Sequence, residues 1–226
     1  MADAAVSQYC ERAAQGFWAE PANALTNAAF LIAAAFAAHL ILRRRPGTVT
    51  WDLWILVLLM ACIGVGSFLW HTLAVAWAEA ADVIPILAFV SLFLVVYLVR
   101  VAGVSAGWVL LWLAVFELFN FGVPLLLPPG LLNGSVGYLP TWLGMLALAG
   151  YGLRAAPGQG RTLLAGVAAF TVSLVLRTID QVVCPAFPLG THFGWHMMNG
   201  LVLYLAFRSL IPAGSPPKGH RGAPHW

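Results

Sequence analysis

The stretch Leu53–Leu73, LWILVLLMACIGVGSFLWHTL, runs for 21 residues without an Asp, Glu, Lys or Arg. About 20 apolar residues in helical form cross the hydrocarbon core of a bilayer, so this stretch predicts a transmembrane helix. Working outward from it, six further stretches satisfy the same rule: Ala22–Leu42, Ala81–Val101, Ala106–Leu127, Tyr138–Leu153, Thr162–Ile179 and His192–Leu210. The breaks between them hold turn residues: Arg-Arg-Arg-Pro-Gly at 43–47, Pro-Pro-Gly at 128–130, Pro157-Gly158, Pro185 and Pro188. The alternation of a β-barrel is missing. Hydrophobic residues make up 62% of the chain and charged ones 8%, against about 45–50% and about 25% in soluble domains. That excess of apolar surface needs lipid to cover it. The expected fold is all-α: one polytopic membrane domain over residues 1–211 with seven transmembrane helices, followed by a Pro-, Gly- and Lys/Arg-rich tail over 212–226, expected to be disordered.

Charge orients the spans. Arg43, Arg44, Arg45, Arg100, Arg154, Arg161, Arg208, Lys218 and Arg221 all fall at one set of ends, whereas the opposite set has Arg12 alone and Arg177 lies inside the sixth span. Cytoplasmic loops collect Lys and Arg. The N-terminus is therefore expected outside and the tail in the cytoplasm. The net charge of +3 then reflects topology, not a nucleic-acid surface. The first 22 residues carry Glu11, Arg12 and Glu20 and have no apolar core, which argues against a cleaved signal peptide and makes the first span a signal anchor.

Ionisable groups inside a membrane are costly and usually functional. The second span runs outward and carries Ser67 and His71 in its last turns. The third starts outside with Asp82 in its first turn, and the seventh starts outside with His192 and His196. Three helices thus deliver five reactive side chains to one depth near the outer face. His192 and His196, four residues apart, share a helix face about 6 Å apart along the axis. With His71 they offer three imidazoles for one ion, leaving an open position as catalytic zinc has; iron, copper and nickel accept the same ligands. The competing reading makes each histidine a hydrogen-bonded structural residue. Ser67, beside Gly64 and Gly66, equally fits close helix packing. His39, His220 and His225 read as interface or solvent histidines, and Cys62 as a packing residue. Trp18, Trp70, Trp77 and Trp195 read as aromatic anchors at the outer boundary. Arg177 and Asp180, three apart, are placed to pair with each other. Glu117 either hydrogen-bonds in protonated form or lines a cavity with Asn120. Asn23 and Asn27 share one helix face and could bond to neighbouring helices.

Three motifs together resemble a known family. They are Gly-Val-Gly-Ser-Phe-Leu-Trp-His (64–71) followed by Asp82, Gly-Thr-His-Phe-Gly-Trp-His (190–196), and Tyr-Cys-Glu (9–11) with Ala-Glu-Pro-Ala-Asn-Ala-Leu-Thr-Asn (19–27). In combination the chain resembles the alkaline ceramidases, within the seven-helix membrane-hydrolase superfamily that also includes the adiponectin/progestin-type receptors. The resemblance implies zinc on His71, His192 and His196, with Ser67 and Asp82 flanking the metal and its water. It implies hydrolysis of the amide bond of ceramide or another N-acyl lipid, giving a fatty acid and a sphingoid-type base. It implies an outward N-terminus, where the receptors have theirs in the cytoplasm. It also implies an N-terminal calcium site. Glu11 and Glu20 match acidic ligands there, but Gln8 stands where the family has Asp and Ala13 where it has Asn. Two acids are few for a cation that takes six to eight oxygens, and the alternative makes Glu11 and Glu20 interface or N-cap carboxylates, with Pro21 opening the helix. A Cys10–Cys184 disulfide agrees with the resemblance and with both cysteines falling on the outer side.

Competing functions are a lipid esterase or phospholipase-type hydrolase using the same metal, and a seven-helix lipid receptor or sensor that keeps the metal for structure. An intramembrane serine protease fits poorly, because Ser67 is followed by Phe68 and three histidines would be superfluous.

Overall fold

The computed structural model describes residues 9–44, 50–128 and 130–212. The tail from 213, with Lys218, His220, Arg221 and His225, lies outside the described residues, as do Gln8 and Arg45. The described residues form helices and no strand: α1 (Pro21–Thr26), α2 (Ala28–Leu42), α3 (Trp51–Leu73), α4 (Ala76–Arg100), α5 (Ala106–Leu126), a 3-10 stretch (Leu131–Tyr138), α6 (Leu139–Ala155), α7 (Pro157–Val183) and α8 (His192–Ser209). Five segments are long and apolar enough to cross a membrane: Pro21–Leu42, Trp51–Leu73, Ala76–Arg100, Ala106–Leu126 and Pro157–Val183. The chain is an integral membrane protein on this basis. Of the other two expected spans, α6 has 17 residues, and α8 has 18, among them His192, His196, Asn199 and Arg208.

Three boundaries differ from the sequence expectation, each for a local reason. The first span breaks at Asn27, between α1 and α2. α4 begins at Ala76 rather than near Ala81, because Ala74, with φ of 49°, turns the chain in two residues; Asp82 therefore sits in the second turn, not the first. Pro157 does not break a helix but opens α7 at its first position, where a missing N–H costs nothing.

The outward faces are apolar, as lipid contact requires. Leu118 and Leu125 on α5 are 75% and 85% exposed, and only Val109 and Asn120 of that helix are buried. Cys62 is also exposed, so it faces outward and is not the packing residue expected. The shared core runs from Phe30 and Ala37 on α2 through Leu56 and Met60 on α3 and Phe93 and Tyr97 on α4 to Val167 on α7 and Phe207 on α8. Where α3 meets α4, a Cβ on Gly66 would lie 2.0 Å from the carbonyl oxygen of Ala81. Only glycine permits that approach, and it sets Ser67 on α3 against Asp82 on α4.

Candidate metal centre

α3 and α8 place their histidines in one spot. Ligand atoms of His71, His192 and His196 all lie within 4.8 Å of one another, and all three residues are buried. Ring centroids are 5.2 Å apart for His71 and His192, 4.7 Å for His71 and His196, and 4.6 Å for His192 and His196. The spacing of four on α8 puts two rings on one face, and the last turns of α3 bring the third across.

The outer nitrogens of two rings are already held. Nδ1 of His71 lies 2.6 Å from Oε2 of Glu20, and Nδ1 of His196 lies 3.1 Å from Oγ1 of Thr26. Nε2 of His71 and Nδ1 of His192 are buried without a hydrogen-bond partner. Three converging imidazoles, orphaned ring nitrogens and a carboxylate behind one ring are what a metal site requires, since ligand histidines are oriented by such outer partners. The residues fit a borderline divalent ion such as zinc.

A scan of protein-family models and a search of curated proteins found no match to this chain. The site's meaning therefore rests on its own geometry.

Glu20 is the hub behind the histidines. Its Oε1 pairs with Nε of Arg12, and its Oε2 accepts from Asn23 Nδ2 at 3.0 Å. Arg12 also donates through a terminal nitrogen to the carbonyl oxygen of His71 at 2.8 Å. Burial alone would raise the Glu20 pKa, but the bonds from His71, Asn23 and Arg12 outweigh it and lower the value below the ordinary range. Glu20 is thus an anion backing His71. Glu11 accepts the backbone N–H groups of Ala22 and Asn23 at 2.7 and 2.8 Å, at the start of α1. The carboxylates of Glu11 and Glu20 are thereby engaged with protein groups. The side chains of Asn23 and Asn27 bond locally, Asn27 Nδ2 donating to the Asn23 carbonyl at 2.9 Å, while the Asn23 backbone meets His196 on α8.

The segment before α1 lies over the histidines. The Tyr9 ring stacks on His192 at 4.0 Å and sits 4.8 Å from His71. Its hydroxyl accepts from Trp70 Nε1 at 3.3 Å. Burial pushes the Tyr9 phenol up to about 12, with Arg177 and the Trp70 bond pulling the other way, so it stays protonated. A Cys10–Cys184 disulfide ties this segment to the chain after α7, with Cα atoms 5.5 Å apart.

Asp180 completes the tie, and it does not pair with Arg177 as expected. Its Oδ2 accepts the Cys10 N–H at 3.1 Å, and its Oδ1 accepts the N–H groups of Thr191 and His192 at 2.7 and 3.0 Å. The open N-terminus of α8 offers better-aligned donors than a side chain one turn away. Gly190, with φ of +66°, passes so close that a Cβ there would meet Asp180 and Cys10.

Beyond the histidines a cavity of about 220 Å³ opens. Ser67, Asp82, Glu79, His192, His196, Asn199, Tyr9 and Arg177 are the polar side chains nearest the histidines in its lining, and Ser67 interacts with the Asp82 carboxylate. Its apolar walls follow α8 past Val202 to Ala206, about 21 Å from His192 at 1.5 Å per residue. Trp70 and Trp195, expected as interface anchors, are 3% and 7% exposed and line this cavity. Trp18 and Trp77 are exposed, as an anchor role requires. Asn120 lines the cavity deeper in, and Glu117 instead bonds the Ser91 hydroxyl. Sequence reasoning missed Tyr9, Arg12 and Thr26 as parts of the centre. The signals were Arg12, a lone cation at its set of helix ends, and the motifs at 9–11 and 19–27 that contain Tyr9 and Thr26.

Proposed function

We propose that this protein is a zinc-dependent intramembrane hydrolase of the alkaline ceramidase type, cleaving the amide of ceramide or a related N-acyl lipid. In this reading the chain crosses the bilayer seven times, α6 and α8 included, with the N-terminus outside, the C-terminus in the cytoplasm and the site near the outer face. Supporting it is one observation above the others: three buried imidazoles converge, and two of them, His192 and His196, line a mostly apolar cavity together with Ser67 and Asp82. The gathering of Arg43, Arg44, Arg100, Arg154 and Arg208 at the opposite helix ends supports the orientation.

His71, His192 and His196 would hold the zinc, which supplies Lewis acidity to a water and to the amide carbonyl. The residues do the rest. Asp82 takes the proton of the attacking water on its carboxylate and returns it to the leaving nitrogen. The Ser67 hydroxyl turns from Asp82 to donate to the carbonyl oxygen as that oxygen gains charge. One water is consumed, the C–N bond breaks, and a fatty acid and an amine leave. The apolar walls receive the acyl chain and exclude water from it. In this reading a covalent route through Ser67 is not used: His71 would be committed to the metal and to Glu20, and Asp82 serves the water.

The test is purified protein against fluorescent lipid amides and the matching esters, with and without a chelator. The expected result is amide release that a chelator abolishes and added zinc restores. Intact metal with no cleavage of any amide or ester contradicts the hydrolase and leaves a sensor. Cleavage of esters alone shifts the reading to the esterase.

A further inference from the structure

Arg177 has no role in the hydrolysis just described, yet it lines the cavity beside the candidate metal centre. A charged residue within a membrane span is costly to keep and calls for an explanation. Its guanidinium carbon lies 5.5 Å from the Tyr138 ring centroid and 5.2 Å from that of Trp195. Trp195 in turn stacks 6.3 Å from His192, so the cation sits one ring away from the metal ligands. It also interacts with the Tyr9 hydroxyl.

Its natural counter-charges are engaged elsewhere. Asp180, three residues on, is filled by the N–H groups of Cys10, Thr191 and His192. Asp82 acts on it at longer range and also interacts with Ser67. Among the described residues the ion pairs within 4.0 Å are Arg12–Glu20, His71–Glu20 and Arg100–Asp52; none involves Arg177. Aromatic faces hold a cation in place but do not satisfy its Nε donor, which is buried without a partner. A guanidinium at a cavity wall with an unpartnered donor suits a carboxylate or a phosphate.

We propose that Arg177 recognises the substrate's head: the cavity takes N-acyl lipids whose amine portion carries an anionic group, a carboxylate or a phosphate, near the scissile amide. This rests on the cavity being an N-acyl lipid site. The acyl chain lies along α8 towards Ala206, the amide sits at Ser67 and Asp82, and the anion reaches Arg177 between Tyr138 and Trp195. An N-acyl amino acid or an N-acyl aminoalkyl phosphate has this plan; a neutral ceramide leaves the guanidinium unpaired.

Affinity separates this proposal from the chemistry. The full chain in nanodiscs is titrated with N-oleoylglycine, N-oleoyl-phosphoethanolamine and the neutral N-oleoylethanolamine, which share one acyl chain. The wild type should bind at least one anionic lipid about tenfold or more tighter than the neutral one, as a charge-assisted bond implies. The preferred anion tells carboxylate from phosphate. Arg177→Met should erase the preference and Arg177→Lys should keep part of it; Arg177→Gln serves where the Met variant does not fold. The preference should survive chelation, because its partner is Arg177 and not the metal. Equal affinity for all three lipids in the wild type, a preference that persists in Arg177→Met, or one that vanishes with the metal overturns the proposal. Hydrolysis of the same lipids is read in parallel. Selective binding without cleavage of any lipid removes the hydrolase and leaves the anion site, whereas cleavage of all three with equal affinity removes the anion site and leaves the hydrolase.

Discussion

The two ends of the bundle each hold a carboxylate–arginine pair, and they differ in everything around it. At one end Arg12 and Glu20 are 3% and 2% exposed, and Glu20 also holds His71. At the other end Arg100 and Asp52 are 26% and 17% exposed, and the guanidinium grips the carboxylate with two bonds of 2.8 Å. A partly exposed pair contributes about 0–1 kcal/mol. A buried one is weak evidence of stability, because desolvation offsets its attraction. The Arg12–Glu20 pair is therefore better explained by what it holds. It fixes the ring of His71 and anchors the Tyr9 segment over the histidines, while Arg100–Asp52 merely fastens α3 to α4 at a polar rim.

Substitutions at the two ends sharpen that contrast. The largest effect is expected from Asp82→Asn, which should lower kcat by about 10²–10⁴-fold, the range of a lost general acid and base, while metal content stays at the wild-type level; retained turnover would remove Asp82 from the chemistry. Next come the residues behind His71. Glu20→Gln and Arg12→Ala should each weaken metal affinity by about 10–100-fold, as loss of such outer partners does, measured by competition with a chromophoric chelator. Unchanged affinity would reduce the buried pair to packing.

Two glycines extend the comparison to the backbone. Gly66→Ala and Gly160→Ala both force a Cβ against main chain, at Ala81 and at Gly152–Leu153 respectively. Each should cost about 1–3 kcal/mol by overpacking, read as a lower midpoint of thermal unfolding in detergent. Only Gly66→Ala should also cut turnover, because it parts Ser67 from Asp82; an equal loss of activity at Gly160 would mean that the site senses global loosening. The smallest effect belongs to Asp52→Asn, within about 1 kcal/mol of the wild type and without change in metal content or turnover.

How much of this was legible in the sequence follows the same division. Helices announce themselves by apolar runs, so five of the seven expected spans were found as helices long and apolar enough to cross a membrane, and residues on the helices could be grouped. That is why His71, His192, His196, Ser67 and Asp82 could be grouped before any coordinates. The ends of helices were less readable. An αL alanine at 74 and a first-turn proline at 157 lengthen α4 and α7 beyond their most apolar parts. The segment from Tyr9 to Glu20 was opaque for a different reason. It has no period to say which side chains turn inward, so the roof of Tyr9 over His192 and the Arg12–Glu20–His71 chain emerged only with the fold. Arg177 and Asp180 show a local rule overridden. Spacing of three favours their pairing, but the start of α8 offers Asp180 backbone donors in a fixed arc, and Arg177 turns to the aromatic wall instead.

The account stands on one ion shared by the three imidazoles. Its most direct test is elemental analysis of the purified wild type beside a His192→Ala, His196→Ala double variant. The account predicts close to one zinc per wild-type chain and well under one in the variant. Equal metal in both, or none in either after purification without chelator and reconstitution with zinc, would contradict it.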